Sequence, residues 1–323
     1  MSNLDPEPDE VVAVSPGSAT VMLEPREVPL GGPRALTVRR TLPQRQRSLI
    51  GPWCFVDHYG PDAVDGTGAM TVPPHPHTGL QTVSWLFAGE IEHRDSTGSH
   101  AMVRPGELNL MTAGSGIQHS EVSTTATTVL HGAQLWVALP DAERGRAPFF
   151  EHYAPQPVAV GAATVHVFLG SLAGSTSSAT AFSPIVGAQL DLPPGATIEL
   201  AVDPSFEHGL LLDRGALSID GEAVALSHLA FRATGSSTLT LAAGPEGARA
   251  LLIGGAPFGE SIVMWWNFIG RSHDEIVAHR ARWQADVIEA GTASGPFGLI
   301  PEYPGRALPA PELPNVRLRP RDG

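Results

Sequence analysis

Short apolar runs separated by turn-forming residues dominate the chain from about residue 34 to residue 255. The run at 80–87 shows this most clearly, because Val83, Trp85 and Phe87 would share one face of an extended strand. Clusters of glycine, proline, aspartate and serine punctuate the runs about every eight to twelve residues. This spacing is typical of antiparallel sandwiches and barrels, so it predicts an all-β fold.

The predicted strands form two blocks of about a hundred residues each, which indicates a duplicated barrel. In the first block, strands are expected at 80–87, through His93, at 108–111 and at 129–139. In the second, they are expected at 165–169, 209–213, 216–219, 238–242 and 250–253. The predicted divisions are an N-terminal arm at 1–32, a first domain at 33–140, a linker at 141–157, a second domain at 158–260 and a C-terminal segment at 261–323.

The C-terminal segment contains the one long helical pattern. Ser272 followed by Asp274 and Glu275 is a typical helix start. Ile276, Trp283 and neighbouring residues at helical spacing could then dock one side of the helix against the barrels. Prolines recur after residue 295, and they predict an extended tail.

Composition and charge narrow the function classes. A chain of 323 residues with 42% hydrophobic residues can build two packed cores. Its formal net charge of −13 would repel a polyanion, so no direct nucleic-acid binding is expected. Cys54 is the only cysteine, which excludes an internal disulfide and a thiolate-rich metal site. Because neither a secretory leader nor a spanning apolar run is evident, the chain is predicted to be cytoplasmic and not membrane-bound.

Two short segments carry candidate chemistry. His75 and His77 are two residues apart with a proline between them, and an extended chain would point both imidazoles to one face. His119 and Glu121 repeat this spacing further along. If the two segments lie side by side, three imidazoles and one carboxylate converge.

This donor set suits one divalent first-row metal ion and suits Ca or Mg poorly, since those ions prefer oxygen ligands. Iron(II) is the expected metal, with Cu, Ni, Mn, Co or Zn as alternatives. An octahedral ion held by four side chains would keep two positions open, which favours catalysis or sensing over a structural role.

The sequence resembles the pirin family over roughly residues 34–290, and the resemblance is most specific in the N-terminal half. The segments that carry it are RRTLP at 39–43, GPWCFVDHYGP at 51–61, PHPHTGLQTV at 74–83, GSGIQHSE at 114–121 and PFGESIV at 257–263.

The resemblance implies a bicupin, with two jelly-roll β-barrel domains, a C-terminal helix and a metal only in the N-terminal cupin. It assigns metal ligation to His75, His77, His119 and Glu121. General cupins usually carry a glutamate four residues after the second histidine, where this chain has Gln81. Glu121 would supply the carboxylate instead.

The family resemblance also implies two classes of function. Some pirins resemble quercetinases, so the chain would be a dioxygenase that acts on flavonol-like substrates and O₂, with Glu121 as the general base. Other pirins are metal-dependent regulators, and the partner would then be a protein such as a transcription factor or a metabolic enzyme. An uncharacterised small-molecule reaction is a third alternative.

Several further residues have ordinary expected roles. Cys54 is expected to be a buried, unreactive thiol. His93, His100 and His131 carry no distinguishing spacing and are expected at surface or satisfied positions. Asp57 and His58 could fix a turn or orient a ligand.

Overall fold

The computed structural model describes residues 20–29, 37–64, 70–301 and 303–321, and most of them lie in β-strands. The predicted arm is described only at residues 20–29. The strands up to the predicted linker and within it are β1 (Val21–Leu23), β2 (Arg26–Pro29), β3 (Thr37–Leu42), β4 (Trp53–Ala63), β5 (Thr71–His77), β6 (Leu80–Ala88), β7 (Ile91–Asp95), β8 (His100–Val103), β9 (Leu108–Thr112), β10 (Ile117–Ser123), β11 (Val129–Ala138) and β12 (Phe149–Tyr153).

The N-terminal cupin consists of two antiparallel sheets. One has the order β12-β9-β6-β11-β4-β3-β2, and the other has the order β5-β10-β7-β8. Apolar side chains from both sheets, among them Tyr59, Val72 and Leu86, form a buried cluster between them. Alternate side chains of the predicted strand 80–87, Leu86 among them, therefore face the other sheet and pack against it.

The strands of the C-terminal cupin are β13 (Val158–Val160), β14 (Ala163–Leu172), β15 (Ser175–Thr176), β16 (Ile185–Leu192), β17 (Thr197–Ala201), β18 (Glu207–Ile219), β19 (Glu222–Val224), β20 (Leu229–Arg232) and β21 (Thr238–Gly255). Together with β1 they form one large sheet with the path β1-β20-β18-β21-β16-β14-β13. Four predicted strands merge into two long ones, β18 and β21. The chain bends without breaking at Gly215, whose φ of 80° and close approach to the carbonyl of Gly247 exclude a side chain.

The two cupins share a hydrophobic core rather than a loose linker contact. Trp53, Trp85 and Leu135 of the first domain pack with Phe168 and Leu251 of the second in one buried cluster. The indole Nε1 of Trp53 also donates to backbone carbonyls across the boundary, at 3.1 and 3.2 Å. Because this surface is apolar and hydrogen-bonded, the domains are expected to unfold together.

The segments predicted as arm and linker both contribute strands. In the arm, β1 pairs with β20 of the C-terminal cupin, whereas β2 pairs with β3 of the N-terminal cupin. In the predicted linker, β12 pairs with β9 and extends the larger N-terminal sheet. The N-terminal segment therefore pairs with both domains and connects them.

A hairpin of β22 (Val263–Trp265) and β23 (Phe268–Gly270) precedes the helix α1 (His273–Trp283). Ser272 caps α1 by accepting from the backbone N–H of Glu275, as predicted. A short π-helix, Gln284–Glu289, continues it. Both helices pack on the hairpin and the tail through a buried cluster that includes Trp283 and Phe297. The described helices are too short or too polar to cross a bilayer.

Candidate metal centre

Pairing of β5 with β10 brings the two histidine-containing segments together. In this antiparallel register His75 lies opposite His119, and His77 lies opposite Ile117. The register shifts between His119 and Glu121, because two residues of β5, Pro73 and Pro74, lie opposite the single residue Ser120 of β10; the β-bulge is therefore on β5. The sequence analysis left the pairing of these segments as a condition for the site, and the structure meets that condition.

Three imidazoles form one compact group. A nitrogen from each of His75, His77 and His119 lies within 4.8 Å of the others. The two Nε2 atoms of His77 and His119 are 3.1 Å apart, and the three ring centroids are 4.4 to 5.0 Å apart. Two nitrogens that bind one first-row ion at right angles would be about 3 Å apart. The donor set and its spacing therefore fit such an ion.

Glu121 occupies an adjoining position. Its carboxylate belongs to a second group, with His93 and His119, whose ligand atoms also lie within 4.8 Å of one another. His119 is common to both groups. The Oε1 atom of Glu121 accepts a hydrogen bond of 3.2 Å from Ser84. Glu121 as fourth metal ligand stays a prediction.

Burial sets the protonation of this site. Loss of solvent lowers the pKa of His75 to about 4 and holds the pKa values of His77 and His119 well below the ordinary 6.5. Burial likewise raises the pKa of Glu121, which favours its protonated form. The imidazoles are therefore neutral and able to ligate at physiological pH. Protons compete with a metal ion only at lower pH than for exposed histidines.

The backbone fixes the orientation of His75. Its Nδ1 is 2.9 Å from the carbonyl oxygen of Pro73, which can only accept. In the neutral ring Nδ1 therefore carries the proton, and Nε2 has a free lone pair. A metal-binding histidine usually shows this arrangement.

A cavity of about 420 Å³ opens above the imidazoles. Its walls include Phe55 and Trp136, which stack with ring centroids 4.0 Å apart. The hairpin adds Trp265 and Trp266, and Leu308 of the tail closes another side. The polar residues in its lining include the three histidines, Glu121, Arg40, Asp57 and Gln134.

The tail also braces the metal-binding segments. The N–H of Leu308 donates to the carbonyl of Pro74 at 2.8 Å, next to His75. The side chain of Gln118 donates to the carbonyl of Gly298, next to His119. The extended tail predicted from its prolines is thus part of the site.

Two of the histidines given ordinary roles lie in buried polar clusters. His93 is packed against His119. Its place near the site could have been predicted from the sequence, because His93 and Asp95 repeat the two-residue spacing of the other histidine segments. His131 joins His58 around Asp213 of the C-terminal cupin, a contact between domains that spacing could not predict. His100 is about half exposed, with 48% of its side chain accessible, and it pairs with Glu92.

The remaining predicted residues are placed as follows. Asp57 lines the cavity and forms a two-bond ion pair with Arg40, at 2.6 and 2.7 Å. Cys54 is fully buried, and burial raises its pKa, so the thiol is unreactive as predicted. That the C-terminal cupin binds no metal stays a prediction.

We expect the metal-free protein to lose stability as the pH falls from 7.5 to 4.5. Unfolded histidines take up protons below about 6.5, whereas folded His75 does so only near its pKa of about 4. Folded protein therefore binds fewer protons across this window, and its unfolding free energy should drop by about 2 to 3 kcal/mol from His75 alone. Urea denaturation of EDTA-treated protein at both pH values measures this. A His75→Gln variant should show a smaller drop than the parent.

Comparisons with known proteins match the chain over both of its domains. A Pirin family model matches residues 35–137, and a model of the Pirin C-terminal cupin domain matches residues 187–288. A Pseudomonas aeruginosa protein named "Putative quercetin 2,3-dioxygenase" is 44% identical over 290 residues, which cover 90% of this chain and 89% of that protein. Human Pirin is 27% identical over 248 residues, covering 74% of this chain and 83% of its own.

Solved structures give the same picture. A quercetin 2,3-dioxygenase from Acinetobacter baumannii superimposes with a TM-score of 0.86 at 36% identity, covering 93% of this chain and 97% of that one. A bacterial pirin from Escherichia coli in complex with nickel(II) shares the fold, with a TM-score of 0.58 at 18% identity over 74% of this chain and all of its own. Two cupin domains, the histidine-lined cavity and the extent of these matches lead to one conclusion: the chain belongs to the pirin family.

Proposed function

We propose that the chain is a metal-dependent dioxygenase of the quercetinase type, which opens the central ring of a flavonol-like substrate. One O₂ would be consumed and one carbon monoxide released per substrate. The metal would be held by His75, His77, His119 and Glu121, with iron(II) as the resident ion. The observation that carries the proposal is the group of three buried imidazoles at the base of an aromatic-walled cavity. The names of the similar proteins from Pseudomonas and Acinetobacter support it.

A bound iron ion would supply the Lewis-acid and one-electron chemistry that no side chain in the cavity can provide. The protein's own contribution begins with shape. Trp136, Trp265 and Trp266 line the cavity and offer apolar aromatic surface against which a planar polyphenol can pack. Burial of the substrate in this cavity excludes bulk water, which strengthens the polar interactions within it.

Glu121 would accept the proton of the substrate hydroxyl that is to be oxidised. Because burial raises its pKa, Glu121 is a stronger base than an exposed carboxylate. The surroundings accommodate both of its protonation states. Ser84 Oγ lies 3.2 Å from Glu121 Oε1 and 3.1 Å from Gln134 Oε1, and its single proton can serve only one of them. Once Glu121 is protonated it can donate to Ser84, whose own proton then turns to Gln134.

Oxygen uptake with quercetin tests this proposal. Iron(II)-loaded protein should consume O₂ and release carbon monoxide in equal amounts, and EDTA-treated protein should do neither. The same protein reloaded with iron should recover both. Uptake that is equal with and without iron, or absent in fully loaded protein, would rule out the proposed reaction. Absence in loaded protein would favour the regulatory alternative.

A further inference from the structure

His93 connects His119 to a buried carboxylate. The β7 strand pairs with β10 so that His93 lies opposite Glu121, and its ring stacks on Phe150 with centroids 4.8 Å apart. Its Nε2 is 3.2 Å from Asp95 Oδ2, and its Nδ1 is 3.4 Å from His119 Nδ1. Both ring nitrogens of His93 are thus in hydrogen-bond contact.

The carboxylate determines which atoms carry protons along this chain of contacts. Asp95 Oδ1 accepts from the backbone N–H groups of Thr97 and Ser99, at 2.8 and 3.2 Å, and from the Thr97 hydroxyl at 2.6 Å, and three donors to one oxygen stabilise the ionised carboxylate. An ionised carboxylate can only accept, so His93 donates from Nε2, and in the neutral tautomer that this contact selects Nδ1 is the acceptor. His119 must then donate from Nδ1. Its Nε2, which faces His77 Nε2 at 3.1 Å, keeps a free lone pair.

We propose that Asp95 and His93 are positioning residues, which hold His119 in the tautomer that can bind a metal through Nε2. This inference rests on the metal site proposed above. The usual arrangement is a carboxylate that accepts a hydrogen bond directly from a metal-binding histidine. Here a second histidine, His93, would lie between the carboxylate of Asp95 and the metal-binding His119.

An alternative role for His93 is that of a direct ligand, because it forms a potential metal-binding group with His119 and Glu121. The contacts favour the positioning role. Nε2 of His93 is used by Asp95, and Nδ1 is used by His119, so ligation would require breaking one of these bonds. The two roles predict different effects of substitutions.

The test is Asp95→Asn, which keeps the size of the side chain. Asparagine Oδ1 can still accept from the backbone N–H groups of Thr97 and Ser99, which Asp95 Oδ1 now holds at 2.8 and 3.2 Å. Its Nδ2 would donate toward His93 where a carboxylate oxygen accepted. His93 would then accept at Nε2 and donate from Nδ1, so His119 would accept at Nδ1 and carry its proton on Nε2.

We expect Ni(II) to bind Asp95→Asn about 10- to 100-fold more weakly than the parent, measured by calorimetric titration. The matched control Glu92→Gln, three positions earlier on the same strand and outside the cavity lining, should bind within about twofold of the parent. Nitrogen-15 NMR of metal-free protein should show His119 protonated at Nδ1 in the parent and at Nε2 in Asp95→Asn.

A His93→Phe background separates positioning from a structural role of Asp95. Phenylalanine can still stack on Phe150, but it has no ring nitrogen and cannot link residue 95 to His119 by hydrogen bonds. Adding Asp95→Asn in this background should therefore change Ni(II) affinity by less than about twofold. An undiminished effect in that background, an unchanged affinity in the single variant, or complete loss of Ni(II) in His93→Phe alone would each overturn the inference. If His119→Ala binds Ni(II) as well as the parent, the proposed metal site itself fails.

Discussion

Replacement of Glu121 by glutamine is expected to lower turnover of quercetin by about 10²- to 10⁴-fold, the usual contribution of a positioned general base. Glutamine has nearly the same shape and can still accept from Ser84, but it cannot take up a proton. Because Glu121 is also a proposed ligand, iron content must be measured in each sample and turnover expressed per iron. Oxygen uptake by the loaded variant measures the effect.

Glu92→Gln serves as the control for this substitution. Glu92 lies on the neighbouring strand β7 and is partly exposed, where it bonds Arg94 and His100. Its replacement should leave turnover per iron unchanged. If Glu121→Gln keeps more than a tenth of the parent turnover per iron, Glu121 is not the base. The proton would then have to be accepted elsewhere in the cavity.

Replacement of Asp213 by alanine is expected to destabilise the protein by about 3 to 5 kcal/mol, because it leaves a charge unpaired between the domains. Asp213 Oδ2 accepts from Arg249 Nε at 2.6 Å, and Oδ1 lies 2.7 and 2.6 Å from Nε2 of His58 and His131. The aspartate side chain is fully buried, and the guanidinium stacks on Phe87 of the N-terminal cupin. Urea denaturation at pH 7 measures the loss.

A surface ion pair provides the contrast. Asp274 pairs with Arg317 at 3.0 Å, and both side chains are mostly exposed, so Asp274→Ala should cost less than about 1 kcal/mol. Combining Asp213→Ala with Arg249→Met should recover part of the loss, because the unpaired charge is removed as well. A loss at Asp213 no larger than that at Asp274 would show that the cluster does not hold the domains together.

Local spacing was enough to predict most of the candidate metal centre. Two-residue spacing places His75 with His77, and His119 with Glu121, on one face of each strand, whatever the partner strand is. The family resemblance implied that the four residues share one site, and the pairing of β5 with β10 brings the two segments together in the structure. The partner strands of β10 are a property of the fold, however, and the sequence could not show that β7 pairs with β10 so that Glu121 lies opposite His93.

Longer-range features could not be predicted from local patterns. The arm strand β1 joins the C-terminal sheet, more than two hundred positions along the chain, because an edge strand there has open hydrogen-bonding groups. The segment predicted as a linker forms β12 for the same reason at the edge of β9. Strand ends were also misjudged in the second block, where glycine signals marked bends within β18 and β21 rather than turns between strands.

The most direct test of the metal site is the amount of iron that the protein retains. We expect purified chain reconstituted anaerobically with iron(II) and then desalted to hold one ion per chain by elemental analysis. His77→Ala and His119→Ala should hold less than about a tenth of that while keeping the circular dichroism of the parent, and His228→Ala in the C-terminal cupin should hold the full amount. Equal iron in the parent and in both cavity variants would contradict ligation by these imidazoles.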